Sequence, residues 1–422
     1  MRIKHEHVLA AGFVLLCAIT AGAETAMIET AVIETATIEI TWSGIADLVD
    51  EHPLLAAGEQ AIVAARGAVD AAGARPNPTL EAALGRVRER PGEPFGRQWD
   101  LSLTLPLDWL SRRSPRVDAA RADLDAAAVE RETIRRDVLL ELRTQFWNLV
   151  HDQRQVVVVE ELARETANLA AAVGRRVEAG EARPVEGTQA EIERELVDDE
   201  LAAARTALAS RQAQLALWIG APPGATIVAV ADLETLPAPP DPEAATAVDA
   251  AGQPALQLEA ARVRALAADL AAERRERLPA FSLTAYTSRE LDQRARGGGI
   301  AVDLPLWDWN SGGIAQAQAQ LAAGRSREES RRRAFAAEIV AAVAACRTSR
   351  ETASRLAAGV VPRSASAAAV IEKTYLAGET GLLEVIDARR TLLASRRRLL
   401  DALAQAQIDH CRLRALIGEE LP

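Results

Sequence analysis

Two pairs of short segments in the chain alternate between apolar and more polar residues. The first pair alternates over 80–85 and again over 101–106, and the second pair alternates over 281–286 and 300–305. A period of two places one kind of residue on each face of a β-strand. Each pair therefore predicts two strands with one apolar face and one more polar face.

Polar segments join the two members of each pair. Residues 88–97 hold two prolines and two glycines, and residues 290–296 are mostly charged. Polar, turn-forming segments between alternating runs are typical of hairpin loops. The sequence therefore predicts two β-hairpins.

Aromatic residues cluster around these hairpins. The ranges 78–110 and 279–310 contain seven of the chain's 14 aromatic residues. A membrane-spanning strand needs about 9–11 residues, and aromatic girdles lie where a barrel meets the lipid headgroups. These features favour membrane strands over the alternative, a soluble hairpin with an aromatic core. The predicted interface aromatics are Trp99, Trp109, Trp307 and Trp309.

Long helices are predicted after the first hairpin. Neither glycine nor proline occurs from Arg116 to Val173, a length that corresponds to about 85 Å of helix. A turn at Gly180 precedes a second helix from about Pro184 to Ile219, with the proline at the first turn, where it is tolerated. Residues 43–73 predict one amphipathic helix before the hairpin.

The second half repeats this order. A helix begins near Gly313, Pro362 is expected to kink it, and a turn covers 378–381 before a return helix that ends at Gly418. Apolar residues on the return helix recur every seven positions, which predicts a coiled-coil seam. The seam residues are Val385, Leu392, Leu399, Ala406 and Leu413.

Three landmarks recur at nearly constant spacing. The residue sets are Leu105–Leu107 and Leu304–Leu306, Val177–Glu181 and Tyr375–Glu379, and Ala216–Gly220 and Arg414–Gly418. The spacing is 199 residues for the first set and 198 for the other two. A fixed period of this kind indicates a duplicated unit of about 200 residues.

These signals divide the chain into segments. The first repeat covers 43–220 and the second covers 255–422, and a linker with seven prolines joins them over 221–254. Residues 24–42 form an N-terminal leader, which is either an edge strand or disordered. Residues 1–23 read as a signal peptide, with basic residues, an apolar run and a small-residue cleavage site.

The cysteines give little sign of chemistry. Cys17 lies in the signal peptide, but a lipid-attachment signal prefers Gly or Ala where Leu16 stands, so lipidation is the less favoured alternative. Cys346 and Cys411 lie in helical sequence without a CxxC partner. Secretion permits a disulfide between them, but the favoured interpretation is two small apolar helix residues.

Composition and motifs exclude several classes of function. The formal net charge of −11 disfavours nucleic-acid binding, which needs clustered Lys and Arg. No Walker loop, GxSxG, HExxH or CxxC motif occurs, and His52, His151 and His410 are widely separated, which favours structural or surface roles. The sequence therefore predicts no enzyme, no cofactor and no metal centre.

One carboxylate pair stands out at the start of the return helix. Glu384 and Asp387 are three residues apart and project from one face. Taken alone, the pair is typical of a solvated surface, whereas a ring of such acids from several copies forms a negative constriction.

Three motifs resemble a known family. They are Tyr375–Leu392, which contains the run EVIDARR, Leu304–Ala317 with LPLWDWNSGGIA, and Arg75–Glu81 with RPNPTLE. In this order, and together with the duplication, they resemble the TolC-like outer-membrane efflux channels. The last motif is similar to that of members serving heavy-metal efflux pumps of the RND type.

The resemblance implies a fold that is mainly α with a small β part. Each subunit of a homotrimer gives four strands to one 12-stranded transmembrane β-barrel, and this barrel is continuous with a periplasmic α-helical barrel. The resemblance further implies a passive exit duct in the outer membrane of a Gram-negative bacterium, in contact with lipid. The duct would serve a tripartite efflux or type I secretion system and carry substrates such as metal ions or small toxic compounds.

The resemblance also assigns roles to residues. The turns at Gly180, Glu181, Gly378 and Glu379 contact a periplasmic adaptor protein, which connects the duct to an inner-membrane pump. Glu384 and Asp387 form the periplasmic gate. Their counterparts in the first repeat are Glu186 and Gln189, so the acidic pair is not duplicated, and Val177 stands where the second turn has Tyr375. The alternatives are a periplasmic coiled-coil adaptor and, less favoured, a periplasmic enzyme.

Overall fold

The computed structural model describes residues 37–87, 96–222, 224–238, 252–291 and 293–418. The predicted signal peptide, Cys17, most of the predicted leader and most of the first hairpin loop lie outside these residues. The strands are β1 (Thr37–Thr41), β2 (Thr79–Val87), β3 (Gly96–Pro106), β4 (Thr226–Val230), β5 (Ala280–Glu290) and β6 (Gln293–Asp303). The helices are α1 (Ile45–Asp50), α2 (Pro53–Gly73), α3 (Trp109–Glu178), α4 (Pro184–Trp218), α5 (Pro254–Glu276), α6 (Ser311–Arg355), α7 (Val361–Leu376) and α8 (Leu382–Ile417).

The two predicted hairpins join into one antiparallel sheet with the strand order β2-β3-β5-β6. Leu80 lies opposite Leu103, which lies opposite Ala285. Residues directly opposite each other share a face, so the apolar positions of the strands fall on one side. The hydroxyl oxygens of Thr104 and Thr284 lie 3.1 Å apart on the other side. The predicted two-sided hairpins are confirmed.

The apolar face of the sheet is exposed. Leu84 is 89% exposed and Ile300 is 72% exposed. The other exposed large apolar residues on this face are Leu80, Leu101, Leu103, Leu105, Phe281, Leu283 and Val302. A contiguous apolar surface of this kind marks an interaction site with a membrane or a protein.

The loop of the second hairpin is shorter than the sequence predicts. β5 continues to Glu290 and β6 begins at Gln293, so most of the charged 290–296 segment is strand. Leu291 has a φ of 52°, a left-handed conformation that closes a tight turn. Charged side chains continue an exposed strand as readily as they form a loop, which explains the error.

The long helices confirm the main helical prediction. α3 has 70 residues, about 105 Å at 1.5 Å per residue, and it begins earlier than expected because it passes through Pro115. α4 begins at Pro184, as predicted. In the second repeat a π-helical segment, Leu356–Val360, separates α6 from α7 just before Pro362, so the irregularity expected at this proline is present.

The predicted helix over 43–73 is in fact two helices. α1 ends at Asp50 and α2 begins at Pro53. Pro53 disfavours helical geometry at the residue before it, and His52 is extended, with a ψ of 135°. His52 also caps α2, because its Nδ1 accepts a hydrogen bond from the Leu54 N–H at 3.2 Å.

The leader and the proline-rich linker are joined by a small parallel sheet. β1 pairs with β4 so that Ile38 lies opposite Ile227 and Ile40 opposite Ala229. The interpretation of 221–254 as a linker missed this strand, and the edge-strand alternative for the leader holds for residues 37–41. Of the linker, residues 223 and 239–251 lie outside the described ranges.

β4 is fixed to the long helices by side chains. The Ile227 carbonyl accepts a hydrogen bond from Gln212 Nε2 at 2.9 Å, and the Ala229 N–H donates to Gln153 Oε1 at 3.1 Å. Ile227 is fully buried. β4 is therefore part of the main hydrophobic core, which also contains residues of α1, α2, α3, α4 and α8.

An aromatic group fills this core. The rings of Trp42, Phe146 and Trp147 have centroids 5.4 to 5.8 Å apart. Cys411 is buried in the same core as a free thiol, and burial raises its pKa to about 11. Cys346 is also buried and free, so the prediction of two small apolar helix residues is confirmed.

His151 has a structural role between the two repeats. Its Nδ1 lies 2.9 Å from Asp152 Oδ1, and its Nε2 lies 2.9 Å from Oδ1 of Asp401 on α8. The hydrogen bond with Asp152, together with that to Asp401, raises the pKa of His151. Arg211 Nε donates to the other Asp152 oxygen at 3.0 Å, so the network joins α3, α4 and α8.

No helix in the described parts of the chain combines the length and apolar character needed to cross a bilayer.

We expect Ile227→Ala to destabilise the protein by about 2–5 kcal/mol, because it opens a cavity at a fully buried site. Val230→Ala is the matched control on the same strand, since Val230 is 51% exposed. Urea unfolding of the detergent-solubilised protein, followed by tryptophan fluorescence, measures the difference. Equal losses for the two variants would show that β4 does not belong to the core.

Candidate functional site at the ends of the helical hairpins

The turn between α3 and α4 is a Schellman motif. The Gly180 N–H donates to the Val177 carbonyl at 3.0 Å, and the Glu181 N–H donates to the Arg176 carbonyl at 2.8 Å. Gly180 has a φ of 76°, which glycine adopts without strain.

The turn between α7 and α8 has the same bonds. The Gly378 N–H donates to the Tyr375 carbonyl at 3.0 Å, and the Glu379 N–H donates to the Thr374 carbonyl at 2.9 Å. Gly378 has a φ of 80°. Two identical caps 198 positions apart are what a duplicated unit produces, and in both the Gly and the Glu are exposed.

The two turns lie at the same end of the molecule. Leu169 and Val173 of α3 share one apolar cluster with Tyr375 of α7 and with Val385 and Ile386 of α8. The Arg176 guanidinium lies 5.2 Å from the centre of the Tyr375 ring, a cation–π contact. Burial raises the pKa of the Tyr375 hydroxyl.

The two turns differ in how they pack. Tyr375 is buried across the interface between the hairpins, whereas its counterpart Val177 is half-buried. The sequence difference between the turns therefore has a structural basis: only the second turn contributes an aromatic side chain to the shared cluster.

The predicted gate residues lie at the start of α8 and are both exposed. Glu384 Oε2 accepts a hydrogen bond from the Gly381 N–H at 3.0 Å, so this carboxylate caps the helix. The counterpart Glu186 is bonded by Arg183 Nε at 2.8 Å and is largely buried. Asp387 therefore has the freer carboxylate of the pair.

Arginines on α8 form a ladder that the sequence interpretation missed. Arg390 and Arg397, one heptad apart, bind Glu193 and Glu200 on α4, with distances of 2.9 Å for Arg390 Nε and 2.6 Å for Arg397. In sequence, arginines outside an apolar seam normally indicate a solvated surface. The ladder becomes visible only when the structure shows that Glu193 and Glu200 on α4 lie opposite them.

The same ladder has a second side that faces α3. Arg396 lies 3.3 Å from Glu161, and Arg389 Nη1 donates to the Glu165 carbonyl at 3.0 Å. α8 is therefore bonded to both long helices of the first repeat, in addition to its apolar seam, whose five residues are buried or half-buried as predicted.

The four predicted interface tryptophans lie at two levels. Trp99 is on the apolar face near the hairpin end of β3, whereas Trp109 follows the other end of that strand. Trp307 and Trp309 follow the corresponding end of β6 and are 91% and 58% exposed. The structure thus separates Trp99 from the other three along the sheet.

No group of three or more metal-binding side chains occurs in the part of the chain that the structure describes.

Comparison with known proteins identifies the class. A family model described as "Outer membrane efflux protein" matches residues 44–221 and 250–419. The chain belongs to this outer-membrane efflux family, and the predicted family is confirmed. It is accordingly an outer-membrane protein of an efflux system, from a family of transport ducts that work with an adaptor and an inner-membrane pump.

Individual proteins are similar to the chain in sequence or in fold. The chain is 28% identical over 354 residues to the cobalt-zinc-cadmium resistance protein CzcC of Cupriavidus metallidurans, covering 83% of each. A membrane protein from Pseudomonas aeruginosa has the same fold, with a TM-score of 0.77, 20% identity, and coverage of 89% and 92%. The Campylobacter jejuni CmeC outer-membrane channel has a TM-score of 0.76 at 15% identity, covering 89% of this chain and 85% of its own.

We expect Gly378→Ala to weaken the second turn by about 1–2 kcal/mol, because a Cβ is disfavoured at a φ of 80°. The added methyl group meets open space, so the cost comes from the backbone alone. Hydrogen exchange of the amides around the turn measures the loss.

Gly174→Ala is the control, because Gly174 lies within α3, does not have a positive φ and also faces open space. Equal exchange rates in the two variants would contradict the role of the left-handed conformation.

Proposed function

We propose that three copies of the chain form a passive exit duct, in which their sheets close into one 12-stranded barrel continuous with a periplasmic barrel of helices. β2 and β6 are the outer strands of the four-stranded sheet, so within the described residues each pairs on one side only. Lipid does not tolerate open strand edges, and four strands are too few to close a barrel. Pairing β6 of one copy with β2 of the next removes both edges.

The height of the sheet supports its placement in a bilayer. β3 has 11 residues, so at 3.4 Å per residue and a tilt of about 45° it rises about 26 Å along the bilayer normal. Outer-membrane barrels have an apolar band about 25 Å tall with aromatic girdles at both edges. Trp99 on one side and Trp109, Trp307 and Trp309 on the other fit the two girdles, and the signal peptide predicted over 1–23 fits export.

The opposite end of the molecule provides the gate and the docking site. Three copies of Asp387 and Glu384 at the ends of three α8 helices form a ring of negative charge at the periplasmic entrance. The two turns, with Gly180, Glu181 and the corresponding pair at 378 and 379, are exposed next to this ring. They contact the periplasmic adaptor, and the adaptor connects the duct to an RND-type pump.

The substrate class that fits best is heavy-metal cations. CzcC, the relative at 28% identity, is named for cobalt, zinc and cadmium resistance. A negative entrance favours cations without a binding site of high affinity, and a passive duct must release its substrate readily.

A periplasmic adaptor is the alternative that also combines long helices with β-structure. It requires no exposed apolar face on a four-stranded sheet, whereas Leu84 and Ile300 lie open on such a face here. This observation favours the duct.

The full chain, purified in detergent and reconstituted in planar bilayers, is expected to run as a trimer and to give discrete conductance steps. Light scattering gives the mass and single-channel recording gives the conductance. A monomer that is released from membranes by alkaline carbonate and does not conduct would contradict the duct and support the adaptor.

Asp387→Asn is expected to lower the permeability ratio of Zn²⁺ to Cl⁻ about twofold or more, because three charges leave the proposed ring. Reversal potentials in zinc chloride gradients measure the ratio. Asp199→Asn, an equal change at an exposed site within α4, is the control and leaves the ratio unchanged. An unchanged ratio in Asp387→Asn removes this residue from the gate.

A further inference from the structure

A pocket lies where the helices meet the sheet, between the end of α2 and the start of α3. Its volume is about 350 Å³, and its polar lining is made by Arg75, Arg113, Arg116 and Trp109. Neither the turns nor the gate uses these arginines, so their grouping requires a separate explanation.

Each of the three lining arginines is held in place by a contact with a neighbouring group. Arg113 Nε donates to the Gly73 carbonyl at 2.6 Å, a bond that also satisfies the end of α2. The Arg75 guanidinium lies 4.6 Å from the centre of the Trp109 ring. Arg116 Nη2 lies 2.7 Å from Glu276 Oε1. The guanidinium groups are therefore oriented, which reduces the entropy lost when an anion binds.

Three arginines and, among the described residues, no acidic residue line the pocket. Glu276 also binds Arg112 at 2.9 Å, so one carboxylate serves two guanidinium groups. Asp70, Asp108 and Asp118 lie close in the chain to lining residues but do not line the pocket. In the part of the chain that the structure describes, neither Arg75 nor Arg113 forms an ion pair with a carboxylate, so the pocket attracts an anion.

The position of the pocket suggests the source of that anion. Pro76 in its wall lies three residues before β2 begins, and Trp109 lies three residues after β3 ends. If the apolar face of the sheet spans the bilayer, as proposed above, this level is that of the headgroups. Arginine matches the geometry of a phosphate group, and tryptophan prefers the membrane interface.

Resting on the proposed function, we propose that this pocket binds the phosphate group of an anionic phospholipid in the leaflet that faces the helices. Arg75 and Arg113 bind the phosphate oxygens, Trp109 packs against the glycerol region, and the alanines at the end of α2 line the remaining wall. The lipid thereby fixes the height of the sheet relative to the bilayer.

The test compares lipid binding by the full chain and by the double variant Arg75→Gln, Arg113→Gln. Native mass spectrometry of the purified protein is titrated with phosphatidylglycerol, with phosphatidylcholine, and with inorganic phosphate as a competitor. The matched control is Arg325→Gln, Arg327→Gln, which removes two exposed arginines on α6, away from the junction.

The unaltered protein is expected to bind phosphatidylglycerol at least tenfold more tightly than phosphatidylcholine. The double variant loses about tenfold in affinity for phosphatidylglycerol, and the control retains it. Equal binding by all three proteins overturns the proposal. Displacement of the lipid by inorganic phosphate at similar concentration also overturns it and shows a pocket for free anions.

Conductance recorded for the same samples separates this proposal from the proposed function. A conducting trimer that binds lipid equally well with and without the two arginines refutes the lipid site and leaves the duct intact. A protein that does not conduct, but loses selective lipid binding in the double variant, refutes the duct and retains a membrane-binding site.

Discussion

Backbone hydrogen bonding at the two outer strands of the sheet is the constraint on which the rest of this structure depends. A sheet with one apolar face and one polar face is stable in lipid only when its edges are paired, because an unsatisfied N–H or C=O group costs several kcal/mol there. The described residues supply four strands to this sheet and leave β2 and β6 on the outside. Two hairpins from a duplicated unit, in a protein of the outer membrane, agree with a barrel that is completed by strands from other copies of the chain.

At the end far from the sheet, the long helices are fixed to each other by α8. A helix about 105 Å long cannot be fixed by a sheet at one end only. The apolar seam of α8 and the arginines on either side of it bind both α3 and α4. Each exposed ion pair contributes little alone, but pairs one heptad apart specify which turns of the helices face each other. Tyr375 then joins the two hairpins at their ends.

The periodicity of the sequence predicted the local elements, but it did not predict which distant segments pair with each other. The two-residue alternation located the four sheet strands, and the repeated Gly-Glu pairs located both Schellman turns, because each signal is contained within a few residues. The parallel pairing of β1 with β4 depends on a core to which distant residues of α3 and α4 also belong, so residues 37–41 and 226–230 carry no local signal of a partner. At the candidate site, the position of Asp387 was predictable, whereas the capping role of Glu384 and the partners of Arg390 were not.

The π-helical segment Leu356–Val360 makes the long helix that follows the sheet easier to bend in the second repeat, where it consists of α6 and α7, than in the first, where it is α3. α3 is a single α-helix of 70 residues, and the proline inside it, Pro115, lies near its start. The long helix of the second repeat contains a wider turn immediately before Pro362, where the regular ladder of hydrogen bonds between carbonyls and N–H groups four residues on is broken. Bending is easiest where that ladder is interrupted. A bending force on these helices therefore deforms the junction of α6 and α7 first. This is the helix that carries Tyr375 and leads through the second turn to Asp387.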